Sequence, residues 1–319
     1  MHYDIFNGDA DGIISLLQIR LAQPRTTTLI TGVKRDIQLL EGLDFKSRDS
    51  FTVLDLSLNK NRTALQRALD MGVTVFYADH HQADDIPVSR LLDAHIDLDP
   101  DTCTALIVDK WLGGQFHEWA ITAAYGDNLL AKADKLAIKA GLSINQAEQL
   151  KELGTLINYN GYGESVDQLH YHPANLYQAL LVYPSPFDVI ADLNSPFYHL
   201  QQAYEQDMQA AQSLTPIHRS QWLSVFELPD DAASHRVCGV FGNWLANQTP
   251  GSAHAVLTQN QNGSYTVSLR APLDNKQGAG GLCSAFATGG GREAAAGINA
   301  LDKSQLAEFI EAVEAYYRT

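Results

Sequence analysis

The chain has 319 residues and a net charge of −15, from 22 basic and 37 acidic residues. Its length is sufficient for one large or two ordinary domains, and its composition, 45% hydrophobic and 18% charged, is typical of a soluble globular protein. The acidity argues against binding to long DNA or RNA, which normally requires a basic stripe, so we expect any anionic substrate to be small.

The sequence also carries information about cellular location. It has no apolar run near the roughly 18 residues that a membrane span needs, and its first residues lack the basic and apolar regions of a signal peptide. The three cysteines, Cys103, Cys238 and Cys283, include no CxxC pair and are odd in number, so they cannot form a complete disulfide framework. We therefore expect a reduced, cytoplasmic protein without a membrane partner.

The first 110 residues alternate between short apolar segments and helical patterns. Four strands are predicted in the segments HYDIFNG, TTTLITG, SFTVLDLS and VTVFYADHH, and two helices in DGIISLLQIRLAQ and NKNRTALQRALDMG. The strand segments are continuously apolar, which is typical of strands buried on both faces of a parallel sheet. This alternation predicts an α/β domain with helices on both faces of a parallel sheet.

The rest of the chain divides into a helical part and a second unit. Residues 103–182 are predicted to be mostly helical, the prolines of YPSPFDVIADLNSPF indicate a break, and YHLQQAYEQDMQAAQSL predicts a connecting helix. A twisted sheet is predicted from WLSVFELP, HRVCGVFGNWLAN and HAVLTQNQNGSYTVSLRAP, with NQNG as a hairpin turn, and a last helix from SQLAEFIEAVEAYY. We thus predict a first domain over 1–190, a helical linker over 191–221 and a second domain over 222–319.

Acidic and imidazole side chains follow three of the predicted strands. They are Asp9 and Asp11 after the first strand, Asp55 at the end of the third, and Asp79, His80 and His81 after the fourth. Ligands bind beyond the carboxyl ends of parallel strands, so these groups are expected at one rim of the sheet. Asp127, in the helical segment AAYGDN, is a further candidate for the same rim.

Considered separately, Asp9 and Asp11 are compatible with a plain turn, Asp55 with a cap or turn residue, and the DHH segment with polar residues on the surface. Together, however, their carboxylates would repel each other strongly unless a cation lay between them. Oxygen ligands with one imidazole suit Mn²⁺ or Mg²⁺ better than a thiolate-type zinc site. The pattern therefore predicts a metal centre at the sheet edge.

A second group of candidate residues lies near the C-terminus. In GGGREAAAG, the glycines Gly289, Gly290 and Gly291 precede an alanine run with high helix propensity, a combination that predicts anion binding at a helix N-terminus, although a flexible connection is the alternative. The guanidinium group of Arg292 could donate two hydrogen bonds to a phosphate or stack on a base. Arg270, in SLRA, would by itself be read as an ordinary surface arginine.

The motifs GDAD, VLDLS, ADHH and YGDN resemble, in this order, motifs I to IV of the DHH phosphoesterase family, and YTVSLRA followed by GGGREAAAG resembles its DHHA1 substrate-binding domain. The resemblance covers nearly the whole chain. It implies an α/β fold: a parallel-sheet DHH domain with flanking helices, joined by a helical linker to a smaller α/β DHHA1 domain. The family includes RecJ-like exonucleases, nano-RNases, cyclic-dinucleotide phosphodiesterases and polyphosphate or pyrophosphate hydrolases.

The resemblance also implies a two-manganese centre, with Mg²⁺ as the alternative ion, that activates a bridging water. By motif position, Asp55 would bridge the ions and Asp9 would bind the second ion. Asp11, His80 and Asp127 would complete the ligand set of the first ion. Asp79 would orient a ligand, and His81 would face the substrate phosphate as donor or acid.

The resemblance also implies a set of substrate-binding residues: Arg270, Gly289, Gly290, Gly291 and Arg292. At the position of Arg292 the family usually has a histidine. Many members also have a metal-binding histidine four residues before the first motif-I aspartate. Here that position is Ile5, which cannot bind a metal ion. Asn7 and a water are the candidate replacements, and we expect the ion on the Asp9 side to be the more weakly bound one.

The leading functional prediction is a manganese-dependent phosphodiesterase that cuts very short oligonucleotides, including linear dinucleotides, to mononucleotides. A chain with this two-domain organisation is expected to lack a further domain for binding a long strand, and a homodimer is one possible oligomeric state. Alternatives are a polyphosphate or pyrophosphate hydrolase, a RecJ-like single-strand exonuclease and a cyclic-dinucleotide phosphodiesterase. Ile5 and Arg292 motivate a fourth alternative, a non-catalytic nucleotide-binding module, against which the retained ligand set argues.

Overall fold

The computed structural model describes residues 1–260 and 262–318. The chain forms two compact units that divide between Gln202 and Ala203. Within the described residues, no helix is both long enough and apolar enough to cross a membrane.

The first unit is built on a five-stranded sheet in which every strand pairs in parallel with its neighbours. Its strands are β1 (His2–Phe6), β2 (Thr28–Ile30), β3 (Ser50–Leu54), β4 (Thr74–Asp79) and β5 (Leu92–Ile96), in the spatial order β2-β1-β3-β4-β5. The predicted parallel sheet is confirmed. The edge strand β5 was not predicted, because its segment LDAHI is only partly buried and lacks a continuous apolar run.

Nine α-helices begin in the first unit. They are α1 (Ala10–Ala22), α2 (Leu58–Asp70), α3 (Thr104–Trp111), α4 (His117–Gly126), α5 (Leu130–Lys139), α6 (Ile144–Asn160), α7 (Pro173–Leu180), α8 (Pro186–Ala191) and α9 (Pro196–Gln212), which crosses the division between the units. Helix α1 is buried from Ala10 through Arg20, whereas α2 buries one face against β1, β3 and β4. The hydrophobic core of the unit therefore surrounds the sheet strands that end at the candidate site.

The second unit contains a six-stranded mixed sheet. Its strands are β6 (His218–Arg219), β7 (Leu223–Leu228), β8 (Ala253–Gln259), β9 (Tyr265–Arg270), β10 (Gly289–Gly291) and β11 (Ala295–Leu301), in the order β10-β11-β9-β8-β7-β6. Only the β7–β8 pair of this sheet, as described, is parallel. The helices are α10 (Ala232–Gln248), α11 (Ala279–Ser284) and α12 (Leu306–Tyr317).

Two predictions for the second unit are wrong. The segment HRVCGVFGNWLAN forms helix α10 rather than a strand, since Asp231 caps the helix by accepting from the Ser234 N–H and Val237, Phe241 and Leu245 form a buried face with helical spacing.

The alanine run after the glycines is strand β11 rather than a helix. It pairs with both β9 and β10, so contacts distant in sequence override the helix propensity of three alanines. The predicted NQNG turn includes Gln261, which lies outside the described residues, although the strands β8 and β9 that it would join pair as expected.

Helices α4 and α6 approach each other closely through two glycines. A Cβ atom at Gly154 would lie 2.1 Å from the carbonyl oxygen of Thr122 and 2.9 Å from the backbone nitrogen of Gly126, and a Cβ atom at Gly126 would lie 2.6 Å from Cβ of Ala10. This crossing fixes the end of α4, where Asp127 follows. Glycine at both positions therefore serves the geometry of the candidate site.

We expect Gly154→Ala to destabilise the protein by about 1–3 kcal/mol, because overpacking against backbone atoms outweighs the gain of about 1 kcal/mol that alanine gives in a helix. Urea unfolding should show a lower midpoint. Gly281→Ala is the matched control, since Gly281 lies in α11 with open space at its Cβ position. An unchanged midpoint for Gly154→Ala would contradict the close approach of α4 and α6.

Candidate metal centre

The candidate residues of the first unit lie at the carboxyl ends of β1, β3 and β4. The connection from β1 leads to β2 on one side of it, whereas β3 pairs on the other side, so a topological switch point lies between β1 and β3. Asp9 caps helix α1 by accepting from the Gly12 N–H at 3.1 Å, and Asp11 lies in the first turn of that helix. The fold thus brings both acids to the position where open α/β sheets bind ligands.

Asp55 directly follows β3 and has an unusual backbone conformation. Its φ angle is +57°, in the left-handed region that non-glycine residues seldom adopt, and its N–H donates to the carbonyl oxygen of Ala78 at 3.0 Å. Potential ligand atoms of Asp55, His80 and His81 lie within 4.8 Å of one another. Backbone strain at a buried carboxylate is typical of a residue held in place for function.

Asp11 and His80 are fixed in position beside Asp55. The two carboxylate oxygens of Asp11 accept from the backbone N–H groups of Thr104 and Ala105, both at 2.7 Å, at the start of α3. The Nδ1 atom of His80 donates to the carbonyl oxygen of Thr102 at 3.0 Å, so the proton is on Nδ1. The Nε2 atom of His80 lies 3.5 Å from Oδ1 of Asp55 and 3.7 Å from Oδ2 of Asp11. This orientation presents Nε2 to the carboxylates, as in metal-binding histidines.

His81 differs from these residues because its side chain is 32% exposed. Its Nδ1 donates to Oδ1 of the fully buried Asp79 at 2.7 Å. Burial alone would lower the pKa of His81, but the adjacent Asp79 carboxylate outweighs it and the pKa is raised. The other carboxylate oxygen of Asp79, Oδ2, is buried without a hydrogen-bond partner in the described part of the chain. Asp79 therefore orients the His81 ring at the mouth of the site.

Asp9 and Asp127 lie beside a lysine that the sequence analysis did not select. Asp127 follows α4, where Asn128 has a φ angle of +60° and separates α4 from α5 in a segment predicted as helical. Its Oδ1 lies 3.9 Å from Nζ of Lys34, and the same ammonium forms an ion pair with Asp9. Lys34 follows β2, so its place after a predicted strand was the signal that could have identified it.

Asn7 and Asn158 support this lysine. The Asn7 side chain donates from Nδ2 to the Lys34 carbonyl oxygen at 3.0 Å and accepts from the Asp9 N–H at 3.2 Å. Asn158, on α6, accepts from Nζ of Lys34 at 3.3 Å. Asn158 was not predicted from the sequence, because nothing in a helix interior distant from the motifs indicates that it reaches the sheet edge.

The electrostatics of the site favour a bound cation. Burial and the nearby carboxylates of Asp11 and Asp9 raise the pKa of Asp55 well above its usual range. The pKa of Asp11 is also raised by burial and by Asp127 and Asp9, although His80 opposes the shift. Buried acids that repel each other need a countercharge, and Asp11, Asp55 and His80 offer the oxygen and imidazole ligands that Mn²⁺ or Mg²⁺ accepts. Asp11, Asp55 and His80 thus fit a divalent ion.

In the second unit, Arg270 is 9% exposed at the end of β9. Its guanidinium donates to Asn243 Oδ1 at 2.6 Å, to Ser268 Oγ at 2.9 Å, and to the carbonyl oxygens of Gly239 and Leu269 at 3.2 and 3.3 Å. These bonds hold the side chain within the unit.

The three glycines form strand β10, and the turn that follows contains Arg292, whose N–H donates to the carbonyl oxygen of Ala295 at 2.9 Å. A Cβ atom at Gly289 would lie 1.7 Å from the carbonyl oxygen of Cys283, so glycine is required there for the packing of β10 on α11. The register pairs Ala295 with Arg270, so the turn adjoins the end of β9.

No protein-family model matches the chain, and no curated protein matches it in sequence. Solved structures do match. A DHH-domain protein described as a member of a family of ribosomal proteins has a TM-score of 0.62 at 13% identity, over 99% of this chain and 86% of that one.

Two further matches have a TM-score of 0.59. The first is the pGpG-specific phosphodiesterase PggH from Vibrio cholerae, at 14% identity over 100% of this chain and 99% of that one. The second is RecJ from Thermus thermophilus in complex with Mn²⁺, at 19% identity over 99% of this chain and 52% of that one. Identities this low establish the fold alone. The chain has the α/β fold of the DHH-domain proteins.

Proposed function

We propose that the chain is a metal-dependent phosphodiesterase that hydrolyses very short oligonucleotides, including linear dinucleotides, to mononucleotides. The observation that carries the proposal is the convergence of Asp11, Asp55, His80 and His81 at the carboxyl ends of three parallel strands. Manganese is the ion we propose, with Mg²⁺ as the alternative. The RecJ structure with Mn²⁺ supports this choice.

Asp11, Asp55 and His80 would hold the ion, with Asp127 nearby. A divalent ion at this position would lower the pKa of a bound water and absorb negative charge on the phosphoryl group. The protein contributes the rigid placement of the ligands: the N-terminus of α3 holds Asp11, the Thr102 carbonyl holds His80, and the Thr104 hydroxyl donates to Oδ1 of Asp55 at 3.3 Å. Because these hydrogen bonds already hold the ligands in place, the protein would not have to rearrange around the ion during the reaction.

His81 is proposed to contact the substrate phosphate. Its ring is oriented by Asp79 and reaches solvent, whereas His80 is buried. A hydrogen bond from His81 to a phosphoryl oxygen would strengthen as charge develops during attack by water. A protonated ring could also give its proton to the leaving oxygen.

The second unit contains the residues that we propose to bind substrate phosphates or bases. The candidate contacts are Arg292 in the β10–β11 turn, the β10 glycines, and Arg270, whose guanidinium is already oriented by four hydrogen bonds. The match to PggH over nearly the full length of both chains supports a dinucleotide-sized substrate, since pGpG is a linear dinucleotide. The free thiols of Cys103 and Cys283 fit a reducing compartment, so we also propose a cytoplasmic protein.

The proposal is tested by turnover of RNAs of two, five and twenty nucleotides, with polyphosphate and pyrophosphate in parallel, in the presence of Mn²⁺. We expect kcat/KM to fall with length and mononucleotides to be the only products from the dinucleotide. The chain has a net charge of −15, which disfavours a long polyanion. Fastest degradation of the twenty-mer would favour the exonuclease alternative, and turnover of polyphosphate alone would favour the phosphohydrolase.

A further inference from the structure

The side chain of Lys34 enters the acidic centre from the segment that follows β2. Its backbone is held on both sides, because the Lys34 N–H donates to the carbonyl oxygen of Gly161 at 2.8 Å and the Lys34 carbonyl oxygen accepts from Nδ2 of Asn7 at 3.0 Å. Asn7 itself follows β1 and bonds to the Asp9 N–H. The lysine and the first acid of the centre are thus connected through one asparagine.

The ammonium group of Lys34 lies near oxygen atoms from three separate elements, although its side chain is 27% exposed. It forms the ion pair with Asp9, at the start of α1, and donates to Oδ1 of Asn158, on α6, at 3.3 Å. Oδ1 of Asp127, after α4, lies 3.9 Å away. Asp9 and Asn158 are 3% and 2% exposed, so this cation is held among buried oxygens.

The same position lacks a ligand that a second metal ion would need. Ile5, in β1, stands where the DHH resemblance would place a histidine, and it is fully buried in the hydrophobic core against β3 and α2. Its hydrocarbon side chain cannot bind a metal ion. Lys34 already forms an ion pair with Asp9 and lies beside Asp127, and an ammonium group so close to a divalent ion would repel it.

The residues on the Asp9 side therefore do not fit a second ion. We propose that the Lys34 ammonium replaces it: the centre holds one divalent ion near Asp11, Asp55 and His80, and a fixed protein cation between Asp9 and Asp127. The inference rests on the metal centre of the proposed function. It departs from the two-ion centre that the sequence resemblance implies, and it accounts together for Ile5, Lys34 and Asn158.

The test is to count bound manganese, which requires no substrate. The full chain is dialysed against excess Mn²⁺, separated from free ion, and measured for Mn per chain by elemental analysis and for spin coupling by low-temperature EPR. We expect one Mn²⁺ per chain with the six-line signal of an isolated ion. Two ions per chain, or the signal of a coupled pair, would overturn the replacement by Lys34. No bound manganese would overturn the metal centre as well.

Substitutions at Lys34 test directly whether its ammonium group excludes the second ion. Lys34→Ala removes the ammonium group near Asp9, Asn158 and Asp127, whose oxygen atoms suit Mn²⁺ or Mg²⁺, so we expect up to one additional ion per chain. Lys34→Arg keeps the charge and should bind one ion, as should Lys60→Ala, the control at an exposed lysine on α2.

If Lys34→Ala retains the circular dichroism spectrum of the parent and still binds a single ion, the proposal fails. Should Lys34→Ala not fold, the count on the parent chain and on Lys34→Arg decides, because two ions in either protein contradict the replacement. A parent chain that binds one ion and hydrolyses none of the substrates would leave this inference intact and refute the proposed function.

Discussion

Replacing Asp55 with asparagine should abolish hydrolysis while leaving the chain folded. Oδ1 of Asp55 lies 3.5 Å from Nε2 of His80 and 3.8 Å from Nδ1 of His81, so this carboxylate is central to the proposed ligand set. Asparagine keeps the shape of the side chain but removes the negative charge that would hold the ion. We expect kcat/KM on a dinucleotide to fall by at least about 10³-fold, the upper end of losses seen when one fixed electrostatic group is removed from an active site.

Folding should not suffer from the same change. The raised pKa of Asp55 reflects burial and repulsion from Asp11 and Asp9, so ionised Asp55 destabilises the metal-free chain. Removing its charge relieves that repulsion, and we expect a urea-unfolding midpoint at or above that of the metal-free parent.

The measurements are steady-state kinetics, bound manganese and urea unfolding. Asp70→Asn, at an exposed carboxylate at the end of α2, is the matched control and should behave like the parent in all three. Turnover by Asp55→Asn within tenfold of the parent, at saturating Mn²⁺, would refute the proposed ion position.

The sheet edge could be predicted because it depends on local patterns. Apolar segments identified the three mostly buried strands β1, β3 and β4, and Asp55 and His80 directly follow β3 and β4, so their meeting follows from the geometry of parallel strands. The fourth predicted segment, TTTLITG, forms the edge strand β2, which is exposed or half-buried. The half-buried strand β5 gave no comparable pattern.

The remaining features depend on contacts between distant parts of the chain. Helix α10 was misread because the apolar residues of HRVCGVFGNWLAN fit either structure until the Asp231 cap is recognised, and β11 forms only because β9 and β10 pair with it. The ammonium group of Lys34 contacts Asp9 and Asn158, which are distant from it in sequence, and no local pattern shows that these three side chains meet. The charge balance of the site was therefore less predictable than the identity of its acids.

Replacing His81 with glutamine should lower kcat while leaving KM nearly unchanged. The structure allows two roles for His81, since its ring lies near Asp55 and His80 as a ligand would, yet it is bound to Asp79 and reaches solvent as a substrate contact would. We propose the second role, in which the contribution of His81 appears as charge develops on the phosphoryl group. Loss of such a group typically costs about 10²–10⁴-fold in kcat.

Manganese binding separates the two roles of His81. If His81 contacts the substrate, His81→Gln keeps the parent's bound manganese and loses only turnover, whereas a ligand role predicts loss of the ion and of turnover together. His117→Gln is the matched control, because His117 is 30% exposed and its Nδ1 lies 2.6 Å from Oδ2 of Asp109, a geometry close to that of His81 with Asp79. Parent-like kinetics for His81→Gln would show that the exposed ring takes no part in the reaction. A fall in kcat with unchanged metal content would instead place His81 at the reacting phosphate, because the buried His80 remains available to bind the ion.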